Sequence, residues 1–178
     1  MLKRVIVAVI LIGITITLGT TGWGYVKFNS PAGSASIMQI PVLVSTFLGG
    51  FPEGIISALV YSITSWQRFP AMNAWVHFPA RILIPILAGL VFLLIRRLLS
   101  GKPVLGDFIG ALIGSAIGSL VNTWGVLGTA LALKYMPSSQ VLQVWVAHGQ
   151  KELLYSVLVV TPVVVLFGIL LRKLNIRQ

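Results

Sequence analysis

The chain has no cysteine and only three acidic residues among 178, which closes several kinds of chemistry to it at the outset. Without cysteine there is no disulfide, no thiolate metal site and no cysteine nucleophile. The same absence leaves the redox compartment open. With Glu53, Asp107 and Glu152 as the whole acidic complement, a two-carboxylate site or a Ser-His-Asp triad is hard to assemble, and a proton-coupled transporter lacks an evident relay. No glycine-rich loop ends in Gly-Lys-Ser/Thr, so the chain does not hydrolyse ATP by itself. The expectation is a protein that is not an enzyme and uses no cofactor.

What is present in excess is apolar surface. The sequence is 57% hydrophobic and 9% charged, more than a water-soluble domain of this size can hide. An integral membrane protein is expected. The net charge of +10 would suggest nucleic acid in a soluble protein. Here the basic residues sit at the ends of apolar segments, as the positive-inside rule places them, with no basic stripe interleaved with aromatics, so no nucleic-acid partner is expected.

A spanning helix needs about 20 residues to cross roughly 30 Å of hydrocarbon, and six segments are read. They run Val5 to Gly22, Met38 to Gly50, Gly54 to Trp66, about Ala71 to Ile95, about Phe108 to Leu133 and about Ala147 to Leu171. The first has a charged start like a signal peptide but no small-residue cleavage site, and is read as a mature helix. The short second and third, joined by Gly49-Gly50-Phe51-Pro52-Glu53-Gly54, fit either a re-entrant hairpin or two short spans; two spans are favoured because packed neighbours can shelter their ends. No solenoid-length repeat is visible, so the fold class expected is an all-α membrane protein, one six-helix transmembrane domain over residues 1–178.

Lys3, Arg4, Arg96, Arg97, Lys102, Arg172, Lys173 and Arg177 gather on one side, against Lys27, Arg68 and Lys134 on the other. The richer side, with both termini, is expected to be cytoplasmic. Trp23, Tyr25, Trp66, Trp75, Tyr135 and Trp145 fall near the external end, as an aromatic belt or a pocket mouth.

Against this background Arg81 and the pair Lys151 and Glu152 stand out, because a charge inside the hydrocarbon layer costs a few kcal/mol or more and normally faces a partner, a cavity or a ligand. Arg81 lies about 22 Å up its helix from Arg96, and Asn122 lies as far from Asp107 on the next. Tyr155 comes at about 25 Å from Arg172, and Glu152 and Lys151 at about 30 Å. Facing agrees with depth. Asn73, His77 and Arg81 recur at i, i+4, i+8 on one stripe. Ser115, Ser119, Asn122 and Thr129 make a second stripe, and Trp145, His148, Glu152 and Tyr155 a third, with Lys151 one step around. A cavity among the outer ends of three helices, capped by the polar Gly22 to Ile37 loop, accounts for all of them.

Other readings stand beside this one. Arg81 could pair with Glu152 as an interhelical bridge, leaving Lys151 to snorkel outward. His77, His148 and Asn122 could be helix-interface residues. A two-histidine-plus-carboxylate metal site with Glu152 lacks metal-ligand spacing, and no metal is expected. If a ligand is bound, Arg81 and Lys151 against Glu152 favour an anionic or zwitterionic one, and the planar fork of arginine suits a carboxylate. Trp75, Trp124 and Trp145 could wall the pocket or face lipid headgroups. Gly110, Gly114 and Gly118 make a smooth face on the fifth helix suited to packing within the bundle, while Gly13, Thr17 and Thr21 make one on the first that could serve an external partner.

Six helices in under 180 residues, a polar loop after the first, and short helices meeting at Leu48-Gly49-Gly50-Phe51-Pro52-Glu53-Gly54 together resemble the substrate-binding S component of energy-coupling factor (ECF) vitamin transporters. The segment Asn122-Thr123-Trp124-Gly125-Val126-Leu127-Gly128 is similar to the Asn-Thr-x-x-Val-Leu-Gly run of pantothenate-type members. The resemblance implies a multi-pass protein of a bacterial or archaeal cell membrane that captures a water-soluble vitamin, pantothenate as best guess, from outside. It also implies a transmembrane coupling protein and two ATP-binding subunits as partners, besides membrane lipid. Substrate-binding residues are then expected at Asn73, His77, Arg81, Asn122, Trp145, His148, Lys151, Glu152 and Tyr155. Ala8 is followed by Ile12, so the family's Ala-x-x-x-Ala docking motif is missing and Gly13 with Thr17 would substitute. The rival reading is a non-transporting scaffold like the rod-shape-determining membrane protein of cell-wall elongation, which needs no converging polar stripes.

Overall fold

In the computed structural model, which describes residues 2–27, 34–70 and 72–174, the chain forms six helices and one short hairpin; the side chains of residues 2–8, 27, 34 and 35 lie outside that description. The side chains of Lys3, Arg4, Ala8, Lys27 and Arg177, and the expected fourth-helix start at Ala71, therefore fall outside the described residues.

The order is α1 (Leu2–Thr21), a β1–β2 hairpin (Tyr25–Lys27 and Ser34–Ser36), α2 (Gln39–Gly49), α3 (Phe51–Arg68), α4 (Ala74–Leu98), α5 (Pro103–Ala132) and α6 (Ser138–Lys173). Two helices contain a widened π turn, at Ser45–Gly49 in α2 and at Trp145–Gly149 in α6. Within the loop expected as a polar cap, the described residues include an antiparallel ribbon, with Tyr25 opposite Ser36.

Local chemistry explains where the ends differ from the sequence reading. α4 starts at Ala74 because the Asn73 side chain accepts a hydrogen bond from the Trp75 N–H at 3.1 Å, an N-cap. α6 starts at Ser138, just after Pro137, rather than at the apolar run from Ala147. The six-residue turn expected between α2 and α3 shrinks to Gly50 alone. Its φ of 129° lies where residues with a Cβ are strained, and Phe51-Pro52-Glu53-Gly54 already form the first turn of α3, with proline in a position that needs no N–H.

Among the described residues α4, α5 and α6 are long and apolar enough to cross a membrane, while Val9–Thr21 and Gln39–Gly49 are shorter apolar helices. α3 is less apolar because Ser57, Ser62, Thr64 and Ser65 point inward. Two such residues tie helices together: Thr15 of α1 meets Ser57 at 2.9 Å, and the Tyr25 hydroxyl meets Ser65 at 2.5 Å.

The core is built where α5 lies against α4 and α2. A Cβ on Gly110 would stand 2.9 Å from the Phe92 ring, one on Gly114 2.8 Å from Phe47, and one on Gly118 2.6 Å from Leu43. The small-residue face of α5 is therefore filled by its own bundle, and Phe47 stacks on Phe92 at 4.5 Å between ring centres.

At the end of the bundle where α5 begins, Asp107 is fully buried between two arginines. Arg96 Nε of α4 stands 3.0 Å from Oδ1, and Arg172 Nη1 of α6 donates to Oδ2 at 2.5 Å. One carboxylate thus ties three helices at that end. Both described ion pairs converge on Asp107, and the Arg81–Glu152 bridge weighed from the sequence is not formed within 4.0 Å.

Candidate functional site

At the opposite end of the bundle, a cavity of about 140 Å³ opens between the hairpin and helices α3 to α6. Its cationic side comes from α4. His77 and Arg81 are one turn apart and both buried. Arg81 Nη1 lies 2.8 Å from His77 Nδ1 and donates to the His77 carbonyl at 2.9 Å, while Cζ sits 4.3 Å above the Tyr61 ring. Arg81 is 5% exposed, and its Nε has no hydrogen-bond partner. A buried arginine held on one edge by its own helix and stacked on an aromatic keeps donor capacity for something else.

The acidic side comes from α6. Glu152 Oε1 accepts from the Ser36 backbone N–H at 2.6 Å, and Oε2 accepts from the Thr123 hydroxyl at 2.9 Å and from Asn122 Nδ2 at 3.5 Å. The carboxylate thereby links the hairpin to α5 and α6. Behind it, Gln39 of α2 is fully buried and reaches both long helices: its Nε2 donates to Ser119 at 3.0 Å and to Ser156 at 2.9 Å, and its Oε1 accepts from Asn122 Nδ2 at 2.7 Å.

Apolar groups close the remainder. Val126, Leu127 and Ala130 of α5, Val144 of α6, and Met72 and Met136 from the connections wall the cavity. Tyr25 and Phe69 pack edge to face at 5.5 Å at its rim. Burial raises the Tyr25 phenol above its ordinary pKa, so it serves as a neutral hydroxyl.

Of the residues expected from sequence, His77, Arg81, Asn122, His148 and Glu152 line this one cavity. Asn73 is exposed and occupied in capping α4. Trp145 instead packs on Trp124 at 5.1 Å, and neither ring lines the cavity. Lys151 and Tyr155 are exposed, as is Trp75, so the walls expected from tryptophan are supplied by aliphatic side chains. Among the described residues, no group of three His, Asp or Glu gathers to hold a metal.

Sequence reasoning passed over Ser36, Gln39 and Tyr61, and quoted Thr123 only within the Asn-Thr run; Tyr25, read as part of an aromatic belt or a pocket mouth, lines the cavity. Tyr61 was findable, since Ser57, Tyr61 and Ser65 recur at helical spacing on a segment otherwise read only for its length. Ser36 was not, because its contribution is a backbone N–H delivered by the hairpin.

On α1, Gly13 and Thr17 face outward: nothing lies within 4 Å of a Cβ placed on Gly13, and the Thr17 hydroxyl turns back to the Gly13 carbonyl at 2.9 Å. Val9, Ile10, Ile14 and Ile16 surround them, all exposed.

A helical membrane bundle with a closed polar end and, at the other, a small cavity holding an arginine and a carboxylate that do not pair is the form of a solute-binding membrane protein. The chain belongs to the family described as ECF transporter, substrate-specific component, whose family model matches residues 3–174. Among curated proteins none matches the chain. Membership makes it a substrate-binding subunit of a transporter and not an enzyme, working with the transmembrane and ATP-hydrolysing components of an ECF module. It also sets aside the scaffold reading.

Proposed function

We propose that the chain captures a water-soluble vitamin bearing a carboxylate, with pantothenate as the best candidate, in the cavity between Arg81 and Glu152. The supporting observation is that Arg81 is buried beside the cavity with its Nε unpartnered, while Glu152 is satisfied by Ser36, Thr123 and Asn122. A buried cation with spare donors gains most from an anionic partner. At about 140 Å³ the cavity is too small for a lipid or a peptide. His77, Arg81, Asn122, His148 and Glu152 are the binding residues in this reading.

The protein is then a single six-helix domain over residues 1–178, multi-pass in a bacterial or archaeal plasma membrane. Both termini and the Asp107 cluster are cytoplasmic, and the cavity opens outward. The exposed α1 face around Gly13 and Thr17 is where the coupling protein docks, in place of an Ala-x-x-x-Ala stripe.

Calorimetric titration of the detergent-purified protein with a panel of water-soluble vitamins tests the reading. Pantothenate should bind with a Kd at or below about 1 μM, roughly 8 kcal/mol. Binding of a different vitamin would correct the ligand alone; binding of none would sink the capture role.

A further inference from the structure

We infer that Gln39 is a positioning residue that turns the Asn122 carbonyl toward the cavity, so that the site selects a ligand offering a hydrogen-bond donor as well as an anionic group. The selectivity half of this inference rests on the vitamin-capture reading above; the positioning half does not.

The orientation follows from which atoms can only accept. Glu152 Oε2, as a carboxylate oxygen, can only accept a hydrogen bond from its neighbour, so it is the Asn122 NH2 group that faces it at 3.5 Å. The second N–H of the same group goes to Gln39 Oε1 at 2.7 Å. Gln39 can offer its oxygen there because its own NH2 is drawn away by Ser119 and Ser156, and lies 3.5 Å from the Glu152 main-chain carbonyl, another pure acceptor. Every donor of both amides is therefore committed within the bundle.

What remains is Asn122 Oδ1. Its contact is a long one, 3.5 Å from the Tyr61 hydroxyl, and Asn122 lines the cavity while being 3% exposed. A carbonyl oxygen has room for two donors, so this atom presents an acceptor to whatever occupies the cavity. Arg81 supplies the opposite character from α4. A ligand with a carboxylate and a hydroxyl satisfies both ends, whereas one lacking the hydroxyl leaves a buried acceptor unpaired. Gln39 itself does not line the cavity, so it acts through Asn122.

Two measurements test this. The first needs no ligand: in protein labelled with 15N at asparagine, the Asn122 side-chain amide, assigned by its loss in Asn122→Ala, should exchange slowly with water. Gln39→Leu should speed that exchange by about tenfold or more, the loss of roughly one buried hydrogen bond, and leave the Asn73 amide unchanged. Undiminished protection in Gln39→Leu overturns the inference.

The second compares pantothenate with N-(3,3-dimethylbutanoyl)-β-alanine, which keeps the carbon skeleton, carboxylate and amide but lacks both hydroxyls. The wild type should prefer pantothenate by about tenfold to a hundredfold. Gln39→Leu should bring that ratio toward one while holding the affinity for the dideoxy analogue within about threefold, a change that general loosening of the fold would not produce. If Gln39→Leu does not fold, Ser119→Ala combined with Ser156→Ala removes the acceptors that hold the Gln39 amide and should shift exchange and ratio in the same direction. A ratio that survives either substitution overturns the inference. If the wild type binds neither compound, the pantothenate reading fails and amide exchange alone decides the role of Gln39.

Discussion

Arg81→Ala should lower the affinity for the carboxylated ligand about a hundredfold, the equivalent of a charged hydrogen-bonding partner worth roughly 3 kcal/mol, while leaving the protein folded. The guanidinium makes its hydrogen bonds within its own helix, to His77 one turn away, and rests on Tyr61, so no other helix depends on it for a hydrogen bond. Removing it also removes the cost of keeping a charge out of water, so the apparent melting temperature in detergent should hold or rise. Arg81→Lys should not restore binding, because an ammonium cannot both reach His77 and present a planar fork to a carboxylate. The exposed Arg97 is the matched control. Arg96 and Arg172 are unsuited to that purpose because they hold Asp107. Calorimetry on the purified variants decides the matter: unchanged affinity in Arg81→Ala would remove the cationic end of the proposed site.

The reverse pattern is expected at the other end of the bundle. Asp107→Ala leaves Arg96 and Arg172 facing each other around a vacated acceptor, and breaking one partner of a buried ion pair costs about 3 to 5 kcal/mol. The two arginines are 25% and 22% exposed, so solvent recovers part of that, and a loss of about 2 kcal/mol is the expected size. The apparent melting temperature should fall by several degrees. Asp107→Asn should fall less, since an amide oxygen still accepts from one arginine. Ligand affinity in the surviving folded protein should stay within a fewfold of wild type, because nothing in the cavity touches Asp107. A large loss of affinity with an unchanged melting temperature would contradict the division of labour between the two ends.

The sequence carried the helical bundle well, for reasons that are physical. Apolar runs bounded by basic residues are what a hydrocarbon layer demands of a spanning helix, and buried charge in such a run has few places to go. That is why counting along α4, α5 and α6 brought His77, Arg81, Asn122, His148 and Glu152 to the outer ends of three helices, and the structure brings the same five to one cavity. Periodicity fails where a residue has two uses for its polar group. Asn73 shares a stripe with His77 and Arg81, yet it also stands immediately before the first turn of a helix, where capping claims its oxygen. Trp145 shares a stripe with His148 but lies in the π turn, where the regular 3.6-residue count no longer tells which way a side chain points. Gln39 and Ser36 escaped notice because they come from short segments with little periodicity to read. The contribution of Ser36 is a backbone group that every residue but proline possesses.

The π turn of α6 acts as a phase shifter within a single continuous helix. One additional residue in a turn rotates everything upstream by about 100° around the axis relative to everything downstream. Downstream, Glu152 and Ser156 face α5 and α2; upstream, Val144 is brought round to close the apolar wall that it would otherwise turn away from. The site is therefore sensitive to chain length at Trp145–Gly149 in a way that it is not sensitive to composition. A lineage that lost one residue there would keep its acidic anchor and its bundle but lose one side of its container, which makes this turn a place where relatives of the chain can diverge in what they hold without altering how they fold.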